Sequence, residues 1–343
     1  MRPKKLHPKR LLKEVNYYMR RRGRLIKSYF KTSKRGRPPK YPDDIILLML
    51  FLQVIWKLSF REAEDFAVNI FGRENIPDFS TYYYRLKHLP SLLLIDFLNF
   101  LSSKLLKKYH KRVVALIFDG TGFKYDELYP LKVLRGREIK QVKSHVKAVI
   151  LSAHLGNGKR FIVSLSCGRS YSSEVKLAQE VLNFVFHSNT VYRYLKGKPV
   201  LGDKAYDSEE FINELLLLGL KPYIKVRESF RKRVVSSVRR LCKSLVERDS
   251  LYRKRGMVEG IFGEVKQALG SYERTKDFQI AQLFVIAKFC VFNLWVLALV
   301  IRIFQTASSL SLKGKLSVVL KAFISKRPLS RDFTKSERVY PCL

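Results

Sequence analysis

Three carboxylates stand where chemistry is to be expected. Asp119 closes the apolar run VVALIF, Asp203 follows the short run Pro199-Val200-Leu201, and Glu259 lies in the stretch YRKRGMVEGIFGEVK at 252–266. Two acids at the ends of predicted buried strands and a third on a predicted helix, with no matching cluster of cations, need positive charge to be tolerated together. A hard divalent cation supplies it, because Mg2+ takes carboxylate oxygens together with water and substrate phosphate. Two such ions, Mg2+ or Mn2+, about 4 Å apart can activate a water or a 3′-hydroxyl and stabilise the leaving oxygen of a phosphodiester. A lone strand-end Asp equally describes a turn or a helix cap. Asp207 and Ser208 are expected to cap the next helix, and Asp126 and Glu127 to lie in a loop beyond the strand end.

Glu259 comes with neighbours at helical spacing. On one continuous helix at about 100° per residue, Tyr252, Arg255, Glu259 and Lys266 share one narrow stripe. Val258, Ile261, Phe262, Val265 and Leu269 take the opposite, apolar side, and Glu264 falls about 180° from Arg255, off the stripe. In isolation this is also the pattern of an ordinary amphipathic surface helix.

The elements that must position these groups follow from the rest of the chain. Its 343 residues suffice for one large or two smaller domains, and 47% hydrophobic residues describe a globular protein. Against that, 67 Lys and Arg oppose 29 Asp and Glu, a net charge of +38. Such self-repulsion points to a polyanionic partner, nucleic acid first and anionic membrane second. The four cysteines form no CxxC pair and no zinc spacing with the six histidines, so a reduced, cytoplasmic protein is expected, associated with the nucleoid. The N-terminus has no apolar signal segment. Leu283–Phe304 is long enough to span a bilayer at about 20 residues. Lys288, Asn293 and Arg302 interrupt it, so a buried core helix is expected and no membrane.

The first 40 residues form a basic arm with sixteen Lys or Arg against one acid, Glu14. Within it Arg35-Gly36-Arg37-Pro38 resembles the AT-hook, an extended element whose arginines enter the narrow, negative minor groove of A·T-rich DNA. A solvated charge run is the plainer account of the same residues. Residues 41–110 read as helices: Asp43–Leu58, a second opened by the capping box Ser59-x-x-Glu62, a short third with Ser80 as N-cap, and a linker helix over Leu92–Tyr109. The second and third suggest a helix-turn-helix, with Tyr82, Tyr83, Arg85 and Lys87 available to the groove and backbone of DNA. A plain helical bundle serving the core is the alternative.

From Arg112 the pattern turns to strands. VVALIF, HVKAVILSAHL and RFIVSLSCG read as an antiparallel meander, the last two joined at Gly156-Asn157-Gly158. A helix at Glu174–His187, the strand Pro199–Leu201, a helix at Glu209–Leu218 and a strand at Pro222–Val226 follow. This is the order of a ribonuclease H-like fold: an α/β mixed sheet flanked by helices, here over 111–305, preceded by an N-terminal helical DNA-binding region. A basic C-terminal tail occupies 306–343.

Asp119 in FDGTG, Asp203 in GDKAYDS, and Tyr252, Arg255, Glu259 and Lys266 spaced Tyr-x2-Arg-x3-Glu-x6-Lys together resemble the DDE transposases of bacterial and archaeal insertion sequences. The resemblance covers roughly Tyr41 to Phe304 and is strongest from Arg112 to Lys266. It implies that Asp119, Asp203 and Glu259 are catalytic and bind two Mg2+ or Mn2+ ions. Tyr252, Arg255 and Lys266 would then hold phosphates or an unstacked base at the transposon end. It further implies metal-dependent cleavage at that end, strand transfer into target DNA, and a homodimer in the synaptic complex. The stretch between Asp203 and Glu259 leaves no room for the large β insertion of some relatives, which puts hairpin protection in doubt. Two other readings stay open: a non-catalytic DNA-binding protein derived from a transposase, and a membrane-surface protein.

Overall fold

The computed structural model of the chain describes residues 7–29, 40–132, 139–156, 158–228 and 236–298. Arg35, Arg37 and the 306–343 tail lie outside these residues. A mixed sheet is the centre of the described chain. Strands β1 (Val113–Lys132), β2 (Ile139–Leu155) and β3 (Arg160–Arg169) form the antiparallel meander. Helix α6 (Glu174–His187) and a short α7 (Asn189–Tyr192) lead to β4 (Pro199–Gly202), then α8 (Glu209–Leu217) and β5 (Lys221–Ile224). The order is β3-β2-β1-β4-β5, with β4 and β5 parallel to β1. This is the ribonuclease H-like arrangement. β1 reads as a nearly continuous apolar run because both of its faces are covered, from Val113 and Ala115 to Ile117 and Phe118.

β1 does not stop at Asp119, as its apolar run suggested. β2 stays paired to it across Asp119↔Ile150 and on to Lys124↔His145, so the backbone ladder carries the strand through the polar residues. Asp126 consequently lies in the strand, beside Lys143, rather than in a loop. A sixth short strand, β6 (Tyr272–Glu273), pairs parallel with β1 at Lys124 and Tyr125.

The basic N-terminal run hides a helix, α1 (Pro8–Tyr29). Leu11, Val15 and Tyr18, at i, i+4 and i+7, are buried against the following helices, and Glu14 pairs with Lys104 at 2.9 Å. Then come α2 (Asp43–Trp56), α3 (Phe60–Phe71), α4 (Phe79–Lys87) and α5 (Ser91–Tyr109). Ser59 and Glu62 form the expected capping box of α3. The N-cap of α4 is Asp78, not Ser80: its carboxylate accepts from the amides of Ser80 and Thr81 at 3.0 and 2.9 Å. An ionised oxygen is the stronger acceptor for these unpaired amides.

After β5, α9 (Ser237–Arg248) and a 3-10 helix (Ser250–Val258) lead into α10 (Glu259–Leu269). The chain then returns through β6 to α11 (Phe278–Ala298). Helix α11 is long and apolar enough to cross a membrane, but 89% of its apolar window is buried inside the protein, as expected of a core helix. Its polar residues have partners there. Asn293 Nδ2 donates to Ile162 O at 2.8 Å, its Oδ1 accepts from Ile162 N at 2.9 Å, and Lys288 pairs with Glu273 while donating to Gly270 O at 2.9 Å. Burial pushes the Lys288 ammonium down and the Glu273 carboxyl up, so each depends on the other. Glu273→Ala leaves Lys288 without its counter-charge and should cost about 3–5 kcal/mol in urea unfolding. The double change Glu273→Leu with Lys288→Met should recover most of that loss.

Candidate active site

Because β1 and β4 are parallel, the C-terminal end of the short β4 falls beside the middle of the longer β1, and their last pairings are Leu116↔Val200 and Ile117↔Leu201. Asp119 lies just past this pairing and Asp203 just past the end of β4, which sets the two carboxylates side by side. Crevices at such strand ends are the usual ligand sites of open α/β sheets. Asp119 Oδ1 accepts from the Gly120 amide at 2.8 Å, and Asp203 Oδ1 accepts from the Ala205 amide at 2.7 Å. The second oxygen of each faces the segment that brings in Arg255.

That segment corrects the single helix drawn over Tyr252–Lys266. Ser250–Val258 is a 3-10 helix capped by Asp249, and the α-helix begins only at Glu259. Gly256 in its middle disfavours the α form, so the tighter turn prevails. The phase break falls between Arg255 and Glu259, yet the two side chains still meet. Arg255 Nη1 lies 3.9 Å from Asp119 Oδ2 and 3.6 Å from Asp203 Oδ2, while its Nη2 lies 4.0 Å from Glu259 Oε1. One guanidinium thus stands among three carboxylates from three elements. Asp119 is the most enclosed, its side chain 18% exposed, against 39% for Asp203 and 69% for Glu259. Burial raises the Asp119 carboxyl above its usual range. The Gly120 amide and Arg255 pull it down, and the charges of Asp203 and Glu174 push it up.

Tyr252 is half-buried, and burial raises its phenol; Arg255 and Asp203 both act on it, so it borders the same group. Lys266 stands apart. Its ammonium lies 5.4 Å from the centre of the Phe123 ring, and burial lowers its pKa. Phe123 shares the Asp119 face of β1, four residues further on, about 13 Å along the strand. The apolar side of α10 packs as its pattern required, with Ile261, Phe262, Val265 and Leu269 buried. Glu264 points away from the acids and pairs with Arg160 of β3, whose guanidinium fills the space beside Gly260, where any Cβ would collide with it. Asp207 does not cap α8. It is held by Arg239 of α9 at 2.8 and 2.7 Å, and Ser208 is the N-cap without a side-chain bond.

On α4 the exposed set differs from the expected one. Tyr82 is fully buried and bonds Gln53 at 2.9 Å, so it is a core residue. Of the two tyrosines expected to be available to DNA, only Tyr83 opens outward. Arg85 is taken up by Asp43 at 2.5 Å and by Tyr41 O at 2.8 Å, and Lys87 is exposed beside Asp277 at 3.3 Å. Exposed Phe79 and Tyr83, one turn apart on α4, line an aromatic surface with Arg61, whose guanidinium lies over Phe79 at 4.9 Å, while exposed Tyr84 lies against His88. Phe79, Tyr84 and Arg61 escaped the sequence reading. Phe79 opens α4 behind its cap, Asp78, whereas Arg61 belongs to α3 and reaches Phe79 only through helix packing, which no local pattern shows.

The family profile described as "Transposase DDE domain" matches residues 112–294, which contain all three acids. The chain belongs to this transposase family. An uncharacterized protein of Aquifex aeolicus (strain VF5) is 33% identical over 266 residues, covering 76% of this chain and 79% of that one. Among solved structures, a piggyBac transposase synaptic complex with hairpin DNA aligns with a TM-score of 0.37 at 10% identity, over 83% of this chain and 73% of that one. A pre-cleavage Mos1 transpososome aligns with a TM-score of 0.23 at 10% identity, over 81% and 86%.

Transposases of this family generally use divalent metal ions. Among the described residues no three His, Cys, Asp or Glu side chains stand close enough together to hold an ion as they are. The donor set nevertheless fits a hard ion. Carboxylate oxygens of Asp119, Asp203 and Glu259 all lie within 4.0 Å of one guanidinium, so positive charge is already accommodated at their centre. The crowding of Asp119 carries a testable consequence. A carboxyl raised by burial destabilises the fold when ionised, and that penalty disappears as pH falls below its unfolded value. In chelator at neutral pH, Asp119→Asn should therefore raise the thermal midpoint, with the difference from wild type closing toward acid.

Proposed function

We propose that this transposase cleaves the phosphodiester at its transposon end in a metal-dependent reaction and directs the exposed 3′-hydroxyl at target DNA. The observation that carries the reading is the meeting of Asp119, Asp203 and Glu259 around Arg255, where β4 ends beside β1. Asp119, Asp203 and Glu259 would hold two Mg2+ or Mn2+ ions, which supply Lewis acidity and an activated oxygen nucleophile. The residues of the chain do the rest. The Gly120 and Ala205 amides fix one oxygen of each Asp, leaving the other turned inward. Arg255, resting among the acids, is placed to turn its fork to a phosphate, and Tyr252 borders the same opening. Lys266 of α10, beside Phe123 further along β1, would meet a phosphate next to the reacting one.

We assign DNA contact to the helical region 41–110 through Tyr83, Lys87 and the aromatic surface of α4. Arg35 and Arg37 of the basic arm would add minor-groove contacts. The net charge of +38 supports a polyanionic partner. A homodimer in the synaptic complex follows from the need to hold two ends, and a cytoplasmic, nucleoid-associated protein is the matching location. The non-catalytic alternative would retain this surface and dispense with the acids.

Cleavage of labelled end DNA in Mg2+ or Mn2+ tests the reading. Glu259→Gln should abolish nicking with end binding nearly unchanged, and Glu264→Gln, whose carboxylate pairs with Arg160, should be mild. Equal loss in both variants would detach the chemistry from the Arg255 centre. In a binding titration Tyr83→Ala should weaken DNA affinity, consistent with a stacking or groove contact of about 1–3 kcal/mol. Tyr82→Phe should leave affinity unchanged and cost about 1 kcal/mol of stability through the lost Gln53 bond.

A further inference from the structure

Glu174 is a fourth carboxylate at this centre, and the cleavage proposed above does not use it. It opens α6, and its carboxylate packs on the backbone of Gly120: a Cβ at Gly120 would stand 3.4 Å from Glu174 Cδ and 3.5 Å from Oε2. The Gly120 amide is the same group that donates to Asp119. A single peptide therefore holds Asp119 and touches Glu174. Lys147 of β2 stands 3.8 Å from Glu174 Oε1, too far for a hydrogen bond, and gives its proton to Ser172 O at 2.8 Å instead. Lys147 balances the charge of Glu174 without using up its acceptor oxygens.

A second observation points into the same spot. Tyr206 ends the 3-10 turn that follows Asp203, is fully buried with its ring against Phe118 and Phe211, and its hydroxyl has no hydrogen-bond partner among the described residues. Burial keeps this phenol protonated, the charges of Glu174, Asp119 and Asp203 act in the same sense, and that of Arg255 opposes them. A buried donor without an acceptor costs about 1–3 kcal/mol. The turn that carries it packs beside α6, the helix that Glu174 opens.

We propose that Glu174 and Tyr206 form an outer layer of the cation site. Glu174 accepts hydrogen bonds from the water shell of a divalent ion held by Asp119, and the Tyr206 hydroxyl donates to the Glu174 carboxylate to keep it turned toward that water. Both are positioning residues that act through the ion's water. The inference rests on the cation-dependent reading above.

Titration of the full-length protein with Mn2+ without DNA, followed by the paramagnetic resonance of free Mn2+, separates the two. Asp119→Asn should remove binding. Glu174→Gln and Tyr206→Phe should each weaken it about tenfold, the lower end of the loss seen for outer-layer partners of metals. Because they act as a unit, the double variant should bind about as weakly as Glu174→Gln alone. Wild-type Mn2+ affinity in Glu174→Gln, with Asp119→Asn still inactive in binding, overturns the outer layer and leaves the acid centre standing. No Mn2+ binding by the wild type, or an Asp119→Asn variant that binds normally, overturns both. Metal-free thermal unfolding is the control. A lowered midpoint in Glu174→Gln with unchanged Mn2+ affinity would make Glu174 an ordinary helix-terminal contact and would also sink the proposal.

Discussion

Like charge is the constraint around which this protein is arranged. Two unit charges 4 Å apart interact by about 1 kcal/mol in water and by about 4 kcal/mol near a protein surface. Carboxylates from β1, from the end of β4 and from α10 can share one opening only if a cation sits among them. Arg255 supplies it, within 4.0 Å of all three. Its approach depends on the 3-10 segment, whose tight winding carries the side chain over the end of the sheet before α10 begins at Glu259. A divalent ion would answer the same repulsion more strongly, releasing the guanidinium to a phosphate.

The frame that holds these groups relies on polar bonds placed inside or at the rim of the apolar core. Asp207, with its side chain 1% exposed, is gripped by Arg239 and so ties the turn after Asp203 to α9. Arg160 and Glu264 fasten α10 to β3, and Asn293 fastens α11 to the backbone of the same strand. Each of these bonds joins an element next to the acids to one further away. Displacing such an element would strand a buried polar group, which costs more than the bond contributes when made. The acids are therefore held in register by groups that take no part in chemistry.

Charge on the outside follows a different logic. Lys and Arg outnumber Asp and Glu by 67 to 29, an excess that suits contact with a polyanion better than it suits folding. Helix α1 shows how both demands are met on one segment. Leu11, Val15 and Tyr18 fill the core while the remaining faces stay basic. The same division appears on α4, where Tyr82 and Leu86 pack inward and Tyr83, Tyr84 and Lys87 look out.

Much of this was legible in the amino-acid order. Apolar runs ending in Asp119 and Asp203 located two acids, because strands buried on both faces must be apolar throughout and an acid marks where cover ends. The periodicity of Ile261, Phe262, Val265 and Leu269 likewise placed Glu264 off the site. Local patterns failed where partners distant in sequence decided. β2 carried β1 beyond Asp119, Gln53 drew Tyr82 into the core, and Arg239 claimed Asp207 from its cap. The change of winding between Val258 and Glu259 is not legible either, since side-chain spacing alone does not distinguish a 3-10 turn from an α turn. Sequence determined which residues could bear charge and which must be buried. Tertiary structure decided which charges meet, because the distances between Asp119, Asp203, Arg255 and Glu259 are set by strand pairing and helix packing, and not by their separation along the chain.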